Sequence, residues 1–175
     1  METQTRESVT QTPLGSFEAF YRRWYPSVSR SVALVVRDID HGQELAREAF
    51  TRLWNRWDVI RSEEHARNFA FQVALNLARS HLRGRRPSAL LGLERHRIDA
   101  ASDAASDLTD RIAVLRALGS LSIRQRECVV LVDYLGYDAA DAAAVLDMKP
   151  ATVRVRVRPE LRGRVARAES ARSDR

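Results

Sequence analysis

Thr152, Arg154, Arg156 and Arg158 follow closely on a proline at position 150. One hydroxyl and three guanidinium groups at this spacing can donate hydrogen bonds to phosphate oxygens and to base edges in a DNA major groove. A second group of donors, Arg67, Asn68, Asn76, Arg79, Ser80 and Arg83, is interleaved with aromatic and aliphatic residues. That mixture suits unpaired DNA, which is held by stacking and by backbone charge. The ordinary alternative for both groups is a solvated basic helix face, and the residues alone leave it open. Catalytic or metal chemistry finds little support. The four histidines are dispersed, no Cys/His set has ligand spacing, and no glycine-rich phosphate loop is present. Neither a cofactor nor a metal is therefore expected. Cys128 is the only cysteine. With no intrachain disulfide possible, a reducing compartment is the natural setting, and its place before Val129 to Val132 predicts a buried, inert thiol.

The elements that would carry these donors can be read from caps and periodicity. Asp138 is placed as an N-cap with Asp141 three residues on, and Ala139, Ala142, Ala143, Val145 and Leu146 give a short helix with a small-residue packing face. Asp147 to Lys149 would be a turn, and Pro150 suits the first position of a second helix. This is the outline of a helix-turn-helix. The run from Val153 to Arg158 alternates valine and arginine, which by period is a strand. A helix is the better expectation, because a strand there has no evident partner. Val153 and Val157 would then pack inward in a helix from about Pro150 to Arg158, with a kink or break caused by Pro159 before Leu161.

Upstream, Ser16 caps a helix with apolar positions Phe17, Phe20, Tyr21, Trp24, Val28, Val32 and Val35, kinked at Pro26. A second helix, from about Asp40 to Trp57, has two apolar stripes: Leu45, Ala49 and Leu53 on one, and Ala46, Phe50, Trp54 and Trp57 on the other. That is more apolar face than a three-helix core needs, so part of it is expected to meet a partner. After a loop at 58–66, Arg67 to Arg83 forms a third helix with Phe69, Val73 and Leu77 as its buried stripe and Ala70 and Ala74 beside them. Gly84, Pro87 and Gly92 break regularity, with an amphipathic turn around Leu90 to His96. A later helix from Leu108 to Leu118 ends at Gly119, and Ser122 with Gln125 makes a capping box for a helix through Leu135, stopped by Gly136.

The predicted fold is all-α, with two small helical domains joined by a flexible linker and a helix-turn-helix in the second. The expected boundaries are a tail at 1–15, a first domain at 16–86, a linker at 87–107, a second domain at 108–167 and a tail at 168–175. Charge follows the same division. From Arg61 to Pro87 there are six arginines against two acids, from Lys149 to Arg175 nine basic residues against three, and between them Ile98 to Asp110 holds four aspartates and no base. Lys149 is the one lysine among 29 basic residues, against 23 acidic ones. Two basic patches around an acidic tether predict two footprints on a polyanion. The polar start of the chain and the lack of any apolar run of spanning length predict a soluble, cytoplasmic protein without membrane insertion.

Three segments, in order, carry a family resemblance. These are ELAREAFTRLWNRW at Glu44 to Trp57, ARNFAFQVALNLARSHLR at Ala66 to Arg83, and LSIRQRECVVLVDYLGYDAADAAAVLDMKPATVRVRV at Leu121 to Val157. The chain resembles the extracytoplasmic-function group of bacterial RNA polymerase sigma factors. The resemblance implies a non-enzymatic transcription initiation factor that binds core RNA polymerase and directs it to promoter DNA by reading the minus-ten and minus-thirty-five elements. By position, Glu44, Glu48, Phe50, Leu53 and Trp54 would meet the polymerase clamp. Arg67, Asn68, Asn76, Arg79, Ser80 and Arg83 would face melted minus-ten DNA. Arg124, Lys149, Thr152, Arg154, Val155, Arg156 and Arg158 would serve the minus-thirty-five element. A separate anti-sigma factor would be the inhibitor. An alternative is a helix-turn-helix regulator that works without polymerase. The chain departs from the family pattern at Phe69, where Trp is common, at Gln72, where Arg is common, and at Ser122, a frequent Pro. It departs again at Lys149, which stands in place of a capping Ser or Thr, and at Arg158 and Pro159.

Overall fold

In the computed structural model, residues 15–84, 114–115 and 117–157 are described. The expected tails, the linker with its turn at 90–96, the start of the helix at 108 and the geometry of Arg158 and Pro159 lie outside them. The described residues hold helices and no strand. Three helices, α1 (Phe17–Val36), α2 (Ile39–Trp54) and α3 (Glu63–Gly84), pack mutually. After helical backbone at 114–115 and 117–119 come α4 (Ile123–Val129), which runs on into a π turn at Val130–Tyr134, then α5 (Ala139–Leu146) and α6 (Pro150–Arg156).

The helix starts follow from their caps. Ser16, Asp38, Ser122 and Asp138 each accept a backbone N–H of the following turn through the side chain, and Ser122 and Gln125 form the reciprocal capping box. Pro26 lies within α1 and does not divide it. Helix α2 ends at Trp54 and Trp57 opens a short 3₁₀ turn, so the helix expected through Trp57 stops three residues earlier. Helix α3 begins at Glu63, inside the expected loop at 58–66, because one local and one long-range bond hold that segment. The Ser62 hydroxyl accepts from the His65 N–H at 3.1 Å, and Trp24 Nε1 donates to Glu63 Oε1 at 2.8 Å.

The buried stripe of α3 also differs from expectation. Ala66, Ala70, Phe71, Ala74, Leu75 and Ala78 are buried, whereas Phe69, Val73 and Leu77 are half-buried. An alanine every fourth residue makes a low ridge that lets neighbouring backbones approach, and Phe71 and Leu75 fill the space beside it. Gly119 is another correction. It remains helical, and a Cβ there would lie 2.9 Å from the Arg37 guanidinium, so its smallness makes room for that side chain rather than supplying a left-handed cap. Gly136 does adopt φ +74 and ends the preceding helix as expected.

The crossing of α1 and α2 is closest at Gly42, where an added Cβ would fall 2.5 Å from the Ala33 Cα. Backbone cannot yield as a flexible side chain can. Gly42→Ala should destabilise the chain by about 1 to 3 kcal/mol through overpacking, although alanine is the better helix former. Urea denaturation followed by circular dichroism checks this, and an unchanged midpoint would mean that the crossing is looser than described.

Candidate functional site

Helix α2 presents the first candidate surface. Phe50 and Leu53, expected at the partner contact, are buried in the core and cannot present their side chains outward. They sit under a cluster in which Phe17, Phe20, Tyr21, Tyr25 and Trp57 pack edge-on or tilted. Trp54 differs. Its ring meets Phe17 at 4.9 Å in an edge contact yet remains 58% exposed. Glu44 and Glu48 are exposed on the same helix, and with Leu45, Thr51 and His81 they line a shallow depression. The Glu48 carboxylate accepts from Arg52 Nε at 2.9 Å. Arg47 also lines that depression, whereas Trp54 lies outside it, so α2 displays an aromatic ring and a mixed-charge depression at separate places along its exposed surface.

On α3, Asn76, Ser80 and Arg83 are exposed, and Arg83 Nη2 donates to Ser80 Oγ at 3.3 Å. Arg67 and Asn68 are half-buried. The Arg67 guanidinium lies 5.3 Å from the Trp24 ring centroid and 5.1 Å from that of Tyr137. Arg79 lies in a shielded position, donating to the Leu75 carbonyl at 3.3 Å and to Asn76 Oδ1, and pairing with Glu127 Oε1 at 3.2 Å. Two of the donors expected to face unpaired DNA are therefore engaged by residues of the second unit.

The helix-turn-helix is built as its sequence requires. Ala142, Ala143, Val145 and Leu146 of α5 are buried, and Asp147 makes the tight turn in a left-handed conformation at φ 53. Lys149 stands at the N-cap of α6 without a side-chain hydrogen bond, and Pro150 is the first helical residue. Val153 and Val157 point into the core. Lys149, Arg154 and Val155 are exposed, while Thr152 and Arg156 are half-buried. Ser122 and Gln125 at the start of α4 line one open depression with Ala151, Thr152, Val155 and Arg156, so the two helix starts share a surface. Arg124, a candidate phosphate contact, instead donates to the Leu146 carbonyl at 3.4 Å and pairs with Glu127 Oε2 at 3.3 Å.

Three functional features escaped sequence reasoning. Glu127 is fully buried, and burial raises its carboxyl above the usual range against the opposing pull of Arg79 and Arg124. Arg126 is also buried, which lowers its guanidinium to about 10 and leaves it cationic at neutral pH. Tyr137 packs edge-on to Phe71 with centroids 5.9 Å apart, and burial pushes its phenol up to about 12. Nothing in RQRE marked them, since adjacent opposite charges can both be exposed on a helix, as Arg47 and Glu48 are on α2.

The family model described as Sigma-70, region 4 matches residues 111–158. Among curated proteins, the chain is similar to the ECF RNA polymerase sigma factor SigC of Mycobacterium tuberculosis, 28% identical over 152 residues and covering 81% of this chain and 77% of that one. It is similar to SigM of the same species, 26% identical over 152 residues with 87% and 76% covered. The RNA polymerase sigma-E factor of Streptomyces coelicolor is 28% identical over 138 residues with 79% and 77% covered. Among solved structures, the sigma factor RpoE in complex with the anti-sigma factor NepR from Bartonella quintana superposes with a TM-score of 0.67 at 22% identity, covering 88% of this chain and 96% of that one. CnrH in complex with the cytosolic domain of CnrY gives 0.61 at 22% identity, with 89% and 88% covered. These two likenesses speak to the fold.

Cys128 lies in the buried core, and burial pushes its thiol up to about 11. The thiolate is the reactive form, so alkylation of the native chain at pH 8 should be on the order of a hundredfold slower than that of the urea-unfolded chain. Mass spectrometry of timed samples reads this. Equal rates would place the thiol in water.

Proposed function

Because the chain belongs to the extracytoplasmic-function group of the sigma-70 family, and so is a promoter-directing transcription initiation factor, we propose that it docks on core RNA polymerase through α2. On this reading it divides promoter recognition between α3 and α6. The observation that carries the polymerase contact is Trp54, exposed on a helix whose other large aromatic, Phe50, is buried. A helix-turn-helix regulator acting alone has no use for such a patch. Glu44, Glu48 and Trp54 would make the contact, and Phe50 and Leu53 would support it from beneath. The exposed part of α3, with Asn76, Ser80 and Arg83, would face the melted minus-ten strand. Thr152, Arg154, Val155 and Arg156 on α6 would enter the minus-thirty-five groove, with Arg158 and Lys149 near the phosphates.

The protein acts by binding and leaves nucleotide chemistry to the polymerase. Among the described residues no helix is long and apolar enough to cross a membrane. One solved neighbour, RpoE, is a sigma factor in complex with the anti-sigma factor NepR. We extend to this chain control by a separate inhibitor of that kind. The work on polymerase and DNA places its action in the cytoplasm.

Reconstitution with core polymerase and promoter-dependent transcription tests the whole reading. Trp54→Ala combined with Glu48→Lys should weaken polymerase binding by on the order of 2 kcal/mol or more while circular dichroism stays unchanged. Unchanged affinity in the folded double variant would remove α2 from the interface.

The two basic surfaces should fail differently. Arg154→Ala should reduce binding of holoenzyme to duplex upstream DNA by about 1 to 3 kcal/mol if it reads a base, or lower the salt slope by about one unit if it meets a phosphate. Asn76→Ala should leave that binding intact and slow open-complex formation, read by permanganate footprinting. Failure of both variants at the same step would contradict two footprints.

A further inference from the structure

We propose that Arg37 and Arg126 form a site for a small phosphate-class anion, at the place where the end of α1 meets the helical turn at 117–119. The site is independent of which surfaces meet polymerase and promoter DNA.

Its first wall is fixed by backbone conformation. Arg37 follows α1 in the left-handed conformation at φ 62, which suits glycine and is strained for a long side chain. Its backbone N–H closes the helix on the Ala33 carbonyl, so the end of α1 holds that conformation. The guanidinium is received by Gly119. Its Cζ, Nη1 and Nη2 atoms lie 2.9, 2.9 and 3.1 Å from where a Cβ on that glycine would stand. Three nearly equal distances mean that the flat face rests on Gly119, and the N–H edge is directed elsewhere. The Arg37 Nε is buried and meets no acceptor among the described residues. Nor does Arg37 form an ion pair among them. The adjacent carboxylate, Asp38, is turned to His41, accepting its backbone N–H at 3.0 Å and lying 2.8 Å from its Nδ1.

Arg126 supplies the second charge. It donates to the carbonyl of Leu118, next to Gly119, and to that of Val35, two residues before Arg37, so both guanidinium groups gather on the same short stretches of backbone. Burial and then the Arg37 charge lower the Arg126 guanidinium to about 10. Glu127 pulls the other way, but its carboxylate is engaged by Arg79 and Arg124. Arg126 uses three N–H groups on carbonyls, and a guanidinium has five, so donors remain beside the charge. Two neighbouring planar forks suit phosphate, whose several acceptor oxygens take bidentate pairs from arginine and whose charge can offset both cations. Chloride offers neither the shape nor the second charge.

The test uses the full chain and inorganic phosphate at neutral pH, against sodium chloride at matched ionic strength, with isothermal titration calorimetry and thermal unfolding followed by circular dichroism. Phosphate should bind one to one, and Arg37→Gln should weaken it by on the order of tenfold or more. In chloride alone Arg37→Gln should be no less stable than the parent, because it relieves the repulsion with Arg126. In phosphate the parent should become the more stable of the two. Phosphate also stabilises folded chains by exclusion from their surface, but that effect is common to both and cannot reverse their order. Arg37→Lys, which keeps the charge without the fork, should retain part of the binding and guards against a glutamine variant that fails to fold. Arg30→Gln, exposed on α1, should bind phosphate as the parent does. A fluorescent duplex without promoter sequence identifies the source of the phosphate. Loss of phosphate binding with duplex binding kept assigns the site to a free anion, and loss of both adds a DNA phosphate to its ligands. Phosphate binding that neither Arg37 variant weakens, an effect no larger than that of chloride, or stabilities that keep one order in both salts would each overturn the proposal.

Discussion

Arg126 and Glu127 are adjacent, buried and oppositely charged, and their needs decide how the two helical units meet. Neighbours on an α-helix point about 100° apart, so the two side chains cannot satisfy each other and must find separate partners. A buried charge without partners costs far more than a surface one. Arg126 finds carbonyls at three places, Val35, Leu118 and Leu121, which a guanidinium fork can span and a lysine ammonium cannot. Glu127 finds two arginines, one from each unit. Helix α4 is thereby fixed against α1 on one side and α3 on the other. The helix-turn-helix that follows takes its position from α4.

Caps and turns were the most legible part of the sequence. Ser16, Ser122 and Asp138 act through bonds within three residues, so their role does not depend on what packs around them. Pro150 and Gly136 are equally local. Helix α3 was the least legible, because Ala66, Ala70, Ala74 and Ala78 share a four-residue spacing with Phe69, Val73 and Leu77. Hydrophobicity favours the larger residues as the core stripe, but α3 packs against α1, α2 and α5, and it is the alanines that lie where the backbones come close. Period alone cannot rank two stripes on a helix covered from several sides. The early start of α3 was hidden for a related reason, since Trp24 and Ser62 hold Glu63 and His65 by bonds of which one spans 39 residues of sequence.

The candidate surfaces were legible as chemistry and only partly as geometry. The donor residues of α3 and α6 could be named from type and spacing. Which of them face water could not, because that depends on contacts between distant segments. Arg79 and Arg124 look like free cations in the sequence, and both are drawn to Glu127. On α2 the same limit appears in reverse. Phe50, Leu53 and Trp54 are all apolar residues of one helix, and only the packing of the other helices around it separates the two that are covered from the one that is displayed.

The valine and arginine alternation of α6 shows how one pattern can serve two periods. In a strand, Val153, Val155 and Val157 would share a face and the arginines would share the other. In the helix, residues four apart lie about 40° from each other around the axis, which puts Val153 and Val157 together in the core. Val155 falls about 200° from Val153 and is 57% exposed. It stands beside Arg154 and across one open depression from Ser122 and Gln125. Branched valines cost helix propensity, so a displayed one is not there for the helix. On the proposed reading of α6, its two methyl groups would meet a thymine methyl while the neighbouring arginines meet acceptors. The alternation thus gives α6 two buried anchors and, on the opposite side, an apolar contact framed by arginines, a division that only the 3.6-residue period produces.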